Sequence, residues 1–274
     1  MSESAARFRA RHAREQLFVM PNPWDVGSAL LLESLGFEAL ATTSAGFAWS
    51  IGRLDHAVTR DDLVAHVAGL VAATSVPLNV DSERCYPDDP GGVAETVALL
   101  AEAGAAGFSV EDYDPVTGTA DTVDVAAERV ALAAEANRRL DEPMVLTGRA
   151  EAEIHTADDL DDIVARLCAY RDAGADVVYA PRLSQLDQIA MVVTAVGIPL
   201  NVLATGPTIR ELASAGVRRV STGSALASAA YHALVVGARE LLADGTSTYR
   251  QSGVPNDVLT VAFTQADGER RTDR

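Results

Sequence analysis

Short apolar runs recur along the chain, and most are followed by a longer stretch with helical periodicity. The eight runs are LFVM (17–20), EALATTS (38–44), VPLNVD (76–81), GFSVED (107–112), PMVLTGR (143–149), ADVVYAP (175–181), IPLNVLA (198–204) and VRRVSTG (217–223). Nearly continuous apolar character with β-branched residues is typical of strands buried on both faces. The pattern therefore predicts eight strands of a parallel sheet.

Amphipathic stretches between these runs predict the connecting helices. The clearest lie at 60–73, 91–103, 124–140 and 157–173, and an alanine-rich stretch at 224–243 predicts a final helix. A weak internal repeat supports the alternation, because four helical stretches end at a glycine shortly before a strand: Gly36, Gly104, Gly174 and Gly216.

Eight strands that alternate with helices predict one closed (β/α)8 barrel of the TIM type. An open doubly wound sheet is the alternative, which is disfavoured because no G-x-G-x-x-G follows the first strand. We assign residues 1–263, with a leading N-terminal helix, to this single domain and residues 264–274 to a polar C-terminal tail.

The charge and composition exclude several functions. A net charge of −17 disfavours nucleic acid and anionic membranes as partners. All 22 basic residues are arginine, so Schiff-base aldolases, PLP enzymes and P-loop enzymes are excluded, because each needs a lysine. Two cysteines, no membrane-spanning run and a polar, charged N-terminus indicate a reduced, cytoplasmic protein.

Polar side chains at three consecutive strand ends carry the candidate chemistry, since barrel enzymes place their active sites at the carboxyl ends of the strands. Asp81 and Glu83 end the third strand, Glu111 ends the fourth and Arg149 ends the fifth. Three converging carboxylates need a cation, and oxygen ligands favour Mg²⁺ or Mn²⁺. Arg149 could grip a carboxylate with two hydrogen bonds. A metal beside an arginine suits a 2-oxo acid.

Other polar residues near these strand ends receive structural interpretations. We interpret Asp112, Asp114 and Glu151 as helix caps and Cys85 as a packed thiol. The histidines show no zinc-site spacing. We also consider His155 as an acid or base and Tyr113 as a proton donor.

The motifs at these strand ends resemble those of the isocitrate lyase / phosphoenolpyruvate mutase superfamily over residues 17–243. The segments that carry the resemblance are NPWDVGSA (22–29), TTSAGFAWSIGRLD (42–55), PLNVDSERCY (77–86), GFSVEDYD (107–114), LTGRAEAE (146–153) and PLNVLATG (199–206). The family's D-x-D signature appears as Asp81-Ser82-Glu83, with Glu in place of the second Asp, and its I-E-D motif as Val110-Glu111-Asp112.

This resemblance implies a role for each matching residue. Mg²⁺ contacts Asp81 and reaches Glu83 and Glu111 largely through water. The substrate site comprises the carboxylate-binding loop Ser44, Ala45 and Gly46, then Asp55 near the substrate, the active-site Arg149, and Asn201 at the seventh strand's end. The family stabilises a pyruvate-like enolate while a C–C or P–C bond is made or broken. It also implies a homodimer or homotetramer in which the last helix can be exchanged between subunits.

One departure from the family concerns the loop after the fourth strand. Lyase members carry K-[KR]-C-G-H there, and the phosphonate mutases carry lysine and asparagine. The corresponding residues 111–124 contain no lysine, cysteine, histidine or asparagine. We therefore expect a Mg²⁺-dependent carbon–carbon lyase or a phosphonomutase-like isomerase acting on a small 2-oxo- or 2-hydroxycarboxylic acid. An oxaloacetate-type decarboxylase or hydrolase and a non-catalytic metabolite-binding barrel are the alternatives.

Overall fold

The computed structural model describes residues 3–152 and 157–272. Its strands are β1 (Phe18–Met20), β2 (Leu40–Ala41), β3 (Leu78–Asp81), β4 (Gly107–Glu111), β5 (Tyr113–Asp114), β6 (Thr119–Ala120), β7 (Val145–Arg149), β8 (Val177–Tyr179), β9 (Leu200–Leu203) and β10 (Arg219–Ser221). Its helices are α1 (Glu3–His12), α2 (Val26–Ser34), α3 (Ser44–Ser50), α4 (Arg60–Ala73), α5 (Gly92–Glu102), α6 (Val123–Arg138), α7 (Ala157–Asp172), α8 (Leu186–Val196), α9 (Ile209–Ser214), α10 (Ala225–Ala243) and α11 (Asn256–Thr272), and a 3₁₀ helix covers Thr248–Ser252.

Eight of these strands form one parallel sheet in the order β1-β10-β9-β8-β7-β4-β3-β2. The two end strands meet where the Ala41 amide donates a hydrogen bond to the Pro21 carbonyl oxygen at 3.0 Å. The side chain of Asn22 also links the two ends of the sheet. Its Nδ2 donates to Thr42 O at 2.7 Å, and its Oδ1 accepts from the Thr222 backbone amide at 2.8 Å. The sheet therefore closes into the predicted (β/α)8 barrel.

The N-terminal end of the barrel is closed by α1, the predicted leading helix. Phe8 on α1 is fully buried and packs with the strand residues Met20 and Val145 and with Ala106, which precedes β4. His12, also on α1, has its Nε2 atom 3.3 Å from Nη1 of the buried Arg219 on β10. This end is filled by packed side chains, so a substrate would have to enter from the opposite end.

Local signals in the sequence explain where the helices begin and end. Asp25 and Thr59 each accept a hydrogen bond from the third helical amide of α2 and α4, which satisfies a donor that the helix itself cannot pair. The four glycines predicted to follow helices have φ angles between +89° and +109°, a region that favours glycine.

The C-terminal end differs from the prediction. The segment 264–274 is expected from its polarity to be a tail, but α11 runs from Asn256 to Thr272 and packs against α2. Ala262 is almost fully buried there and anchors the helix. The polar composition of residues 264–274 gives no apolar periodicity from which a helix could be predicted. Within the described ranges, no helix is long and apolar enough to cross a membrane.

Candidate active site

A pocket of about 900 Å³ opens at the carboxyl ends of the barrel strands. Seven of the nine residues predicted for the site line it: Ser44, Ala45, Asp55, Asp81, Glu111, Arg149 and Asn201. The other two lie beside it, since Gly46 follows Ala45 on α3 and Glu83 contacts the pocket residue His56. The predicted residues are thus gathered in one place.

Arg149, the last residue of β7, joins the acids of three chain segments. Its Nη1 lies 3.0 Å from Asp81 Oδ1 and 3.2 Å from Glu111 Oε2, and its Nε donates to Glu151. The guanidinium carbon also lies 5.4 Å from the centre of the Tyr179 ring. These contacts use Nε and Nη1, so acids hold the guanidinium group at two of its three nitrogens.

Glu111, at the end of β4, is a strongly perturbed acid. Burial raises the pKa of Glu111 to about 8, and the positive charge of Arg149 only partly opposes that effect. Asp81 raises the pKa further through repulsion. A group with these surroundings would ionise readily only if another positive charge were added nearby.

His56 is a site residue that the sequence analysis missed. Its Nδ1 lies 3.4 Å from Glu83 Oε2 and 4.0 Å from Glu111 Oε1, while Nε2 lies 3.8 Å from Asp55 Oδ2. The contact with Glu83 raises the pKa of His56 to about 9. The position directly after Asp55 was the available signal, because a neighbour of a site residue can turn into the same pocket.

The first turn of α3 supplies the predicted carboxylate-binding loop. The Ser44 amide donates to Asp81 Oδ2 at 3.3 Å, and the Gly46 amide donates to the Thr43 side chain that caps the helix. A Cβ at Gly46 would lie 2.5 Å from Thr43 Cγ2 and 3.2 Å from the Ala227 Cβ. Gly46 therefore permits close packing of α3 against α10, and its amide is used by the cap. Whether the loop holds a carboxylate stays a prediction.

Asn201 on β9 is oriented by a buried arginine. Arg219 Nε donates to Asn201 Oδ1 at 2.9 Å, so the amide group turns its nitrogen toward Ser221 Oγ at 3.0 Å. Arg219 also donates to Thr147 Oγ1 at 3.0 Å, and burial lowers the pKa of Arg219 to about 9. This arginine lines the same pocket, and its inward position could not be predicted from the sequence.

The acids that were interpreted as helix caps have another role. Asp112 is fully buried and accepts hydrogen bonds from Arg166 at 3.0 Å and from the Tyr170 hydroxyl at 2.6 Å. Asp114 accepts from the Val116 amide at 2.9 Å and contacts Arg84. Glu151 contacts Arg149. The capping interpretation is wrong for all three acids, because each of them pairs with an arginine instead of capping a helix.

The segment after β4 is a short antiparallel hairpin formed by β5 and β6, and part of it borders the pocket. Arg84 and Arg129 both contact Asp121 at its base, at 3.3 and 2.6 Å. Tyr113 lies on the pocket side, with its ring centre 5.1 Å from that of His56.

Two other residues were considered in the sequence analysis. His155 lies outside the described residues. Cys85 is buried, as predicted, and burial raises the pKa of its thiol to about 12.

The donor set of the pocket fits a divalent cation. Around Arg149 and His56 lie five carboxylates: Asp55, Asp81, Glu83, Glu111 and Glu151. Within this cluster of seven residues the acids outnumber the basic groups, and a bound divalent ion would offset the excess negative charge. Arg182 and Arg219 also line the pocket.

Arg149 contacts both Asp81 and Glu111, and His56 lies near both Glu111 and Glu83. Within the described residues, however, the group whose ligand atoms all lie within 4.8 Å of one another is Asp55, His56 and Glu83, not the predicted trio. The role of Asp81, Glu83 and Glu111 as ligands stays a prediction.

A parallel barrel with acids and an arginine around one pocket at its carboxyl end is the architecture of a TIM-barrel enzyme. The chain belongs to the phosphoenolpyruvate phosphomutase family, whose model matches residues 8–242. It is 34% identical over 268 residues to an uncharacterized protein of Mycobacterium tuberculosis, with 97% of this chain and 98% of that protein covered. It is 32% identical over 229 residues to the oxaloacetate decarboxylase of Paraburkholderia xenovorans, covering 80% and 75% of the two chains.

Solved structures agree with this assignment. A Burkholderia cenocepacia protein named as a candidate lyase/mutase is 48% identical, with a TM-score of 0.90 and coverage of 96% of this chain and 97% of that one. A 2,3-dimethylmalate lyase of the PEP mutase/isocitrate lyase superfamily is 26% identical, with a TM-score of 0.84 and coverage of 100% and 99%. The family is one of lyases and mutases, and the protein is an enzyme of this superfamily.

Proposed function

We propose that the protein is a Mg²⁺-dependent lyase or mutase-like enzyme that acts on a small 2-oxo- or 2-hydroxycarboxylic acid through an enolate. The observation that carries this proposal is the arrangement around Arg149, where a fixed guanidinium lies among acids that carry excess negative charge. An arginine binds a carboxylate, and an excess of acids binds a divalent cation. Mn²⁺ could take the place of Mg²⁺ in this donor set.

The chain's own residues would divide the work as follows. Arg149 would meet the substrate carboxylate through Nη2, because Nε and Nη1 are held by Glu151, Asp81 and Glu111. The bound ion would polarise the substrate's oxygens and offset charge that develops on the enolate. The first turn of α3, with Ser44 and Ala45, would bind a carboxylate oxygen.

Two other predicted residues would set the substrate's position in the pocket. Asn201 would present its amide nitrogen, held in orientation by Arg219, to a polar oxygen of the substrate. Asp55 lies at the exposed edge of the pocket, where it would contact the part of the substrate that leaves or moves. The exact substrate depends on how far these two groups lie from Arg149 once the substrate is bound.

The candidate reactions differ in which group donates a proton to the enolate. The β5–β6 hairpin carries no cysteine, lysine or histidine, so the side chains on which lyase members of the family rely are missing. Tyr113, on the pocket side of this hairpin, is the group we propose as donor for a lyase reaction. This absence also favours a second candidate, decarboxylation of an oxaloacetate-like acid, because loss of CO₂ leaves an enolate that solvent can protonate.

A substrate panel tests the proposal. Purified protein with Mg²⁺ is incubated separately with oxaloacetate, methylisocitrate and phosphonopyruvate, and the products are followed by NMR. Oxaloacetate loses CO₂ with Mg²⁺ alone, so the rate is compared with buffer and with Asp81→Asn at equal metal. The proposal expects Mg²⁺-dependent turnover of at least one acid that Asp81→Asn abolishes.

The outcomes distinguish the alternatives. Pyruvate and CO₂ indicate a decarboxylase, oxalate and acetate a hydrolase, and cleavage or rearrangement of the other two acids a lyase or mutase. Tight Mg²⁺-linked binding of oxalate without turnover of any acid would contradict the proposal in favour of a metabolite-binding barrel. Activity that does not need a metal would contradict the assignment of the site.

A further inference from the structure

The imidazole of His56 lies among acids at the mouth of the pocket. One ligand atom each from Asp55, His56 and Glu83 can be chosen so that all three lie within 4.8 Å of one another. Two metal–ligand bonds of about 2.1 Å place their donor atoms roughly 3 to 4 Å apart. The 3.4 Å between His56 Nδ1 and Glu83 Oε2 falls within that range, whereas Asp55 Oδ2 lies 3.8 Å from the other ring nitrogen, Nε2. One of the two carboxylates would therefore have to turn toward the nitrogen that the other one faces before all three residues could bind one ion.

Asp55 and Glu83 are not among the acids that Arg149 contacts. Arg149 contacts Asp81, Glu111 and Glu151. Asp55 and Glu83 instead face the imidazole, so Arg149 does not offset their charge directly. A cation bound beside His56 would offset it.

Two further observations point to a ligand at His56. Its Nδ1 atom is buried and makes no aligned hydrogen bond, although Glu83 is close by. The backbone at both His56 and Glu83 has positive φ, at 61° and 50°, which is uncommon for residues other than glycine. Strained backbone of this kind persists where a functional arrangement requires it.

We infer that His56, with Asp55 and Glu83, forms a metal site that takes a first-row transition ion such as Mn²⁺, Co²⁺ or Zn²⁺ in preference to Mg²⁺. Imidazole nitrogen is a good ligand for transition ions, whereas Mg²⁺ favours oxygen. An ion bound through this nitrogen takes the place of the proton there. The inference rests on the proposed function only in placing the ion in the same pocket.

Pulsed EPR of the Mn²⁺-loaded full-length protein tests the inference, because a coordinated imidazole produces a ¹⁴N coupling on the manganese signal. We expect the coupling in the wild type and in His232→Gln, a matched control on the exposed face of α10. We expect His56→Gln and His56→Asn to lose it. Circular dichroism of each variant shows whether the barrel is folded.

Competition between ions provides a second measurement that does not depend on activity. The wild type should prefer Mn²⁺ to Mg²⁺, and His56→Gln should weaken Mn²⁺ binding at least about tenfold with little change for Mg²⁺. Bound Mn²⁺ without ¹⁴N coupling, or a coupling that survives in His56→Gln, would overturn the inference. Mg²⁺-dependent turnover abolished by Asp81→Asn would in that case still support the proposed function, so the two failures are distinguishable.

Discussion

At the scale of single residues, the main feature of the site is one arginine that forms ion pairs with three acids. Arg149 is held at Nε by Glu151 and at Nη1 by Asp81 and Glu111. The guanidinium offsets buried negative charge, and in the proposed function its Nη2 would also bind the substrate carboxylate. Substitutions at Arg149 can separate these two roles.

Arg149→Lys should keep the barrel folded but lower kcat/KM on the accepted substrate by about 100-fold, since lysine keeps the charge and loses the planar fork. Arg149→Met should in addition lower the free energy of unfolding by about 3 kcal/mol, because it leaves Asp81 and Glu111 without their counter-charge. Urea unfolding and steady-state kinetics of both variants check this. Full activity in Arg149→Lys would mean that only the charge matters.

At the scale of elements, the sequence predicted the eight barrel strands and the strand ends that carry Asp81, Glu111 and Arg149. Buried strands have a strong apolar pattern, and the barrel fold itself decides which strand ends share a pocket. The structure confirms each of these strands with bounds that are shorter by a few residues. The strand-end residues of the site could therefore be found without coordinates.

The parts that could not be predicted depend on contacts between distant segments. His56 lies in the loop between α3 and α4 and not at a strand end. The backbone conformation of this loop places its side chain near Glu83 and Glu111. Asp112 has a cap-like sequence context, but Arg166 from α7 reaches it across the barrel's outer layer. The last helix was missed because its polar residues give no clear apolar pattern. Such features require tertiary contacts that periodicity does not contain.

The docking of α1 on the barrel should depend on pH through His12. Burial lowers the pKa of His12 to about 3 from the ordinary value of 6.5, and Arg219 contributes to that shift. Between these values the unfolded chain binds a proton that the folded protein does not, so His12 makes stability fall as the pH falls from 6.5 toward 3.

A variant at this position isolates the effect. His12→Gln should reduce the loss of unfolding free energy between pH 6.5 and 4.5 relative to the wild type, whereas His232→Gln should follow the wild-type curve. Urea unfolding at several pH values measures the difference. Identical slopes for His12→Gln and the wild type would show that His12 is not held neutral by its burial against α1 and Arg219.

At the scale of the whole molecule, the C-terminal helices leave apolar side chains exposed. Leu234 and Leu242 on α10 and Phe263 on α11 are 65%, 89% and 40% exposed, and Val235 and Val261 are also accessible. Exposed apolar patches mark interaction surfaces. We propose that these helices join copies of the chain into a homodimer or homotetramer, and exchange of the last helix between subunits is one arrangement that would cover their exposed apolar side chains.

Replacement of these leucines tests the assembly. The double variant Leu234→Glu and Leu242→Glu should shift the protein to a monomer, because an acid at each position would be buried in the interface. The matched control is Leu132→Glu on α6, an exposed leucine away from the C-terminal helices. Light scattering after gel filtration measures the mass. A wild type that is monomeric at micromolar concentration would contradict the proposal.

The central claim is that one pocket binds a divalent ion and a small carboxylate together, through its acids and Arg149. Calorimetric titration of oxalate with and without Mg²⁺ tests that claim most directly in the wild type, in Asp81→Asn and in Arg149→Lys. Oxalate should bind at least about tenfold more tightly with Mg²⁺ in the wild type and lose that gain in both variants. Equal oxalate affinity with and without the metal, or a gain that persists in Asp81→Asn, would contradict the claim.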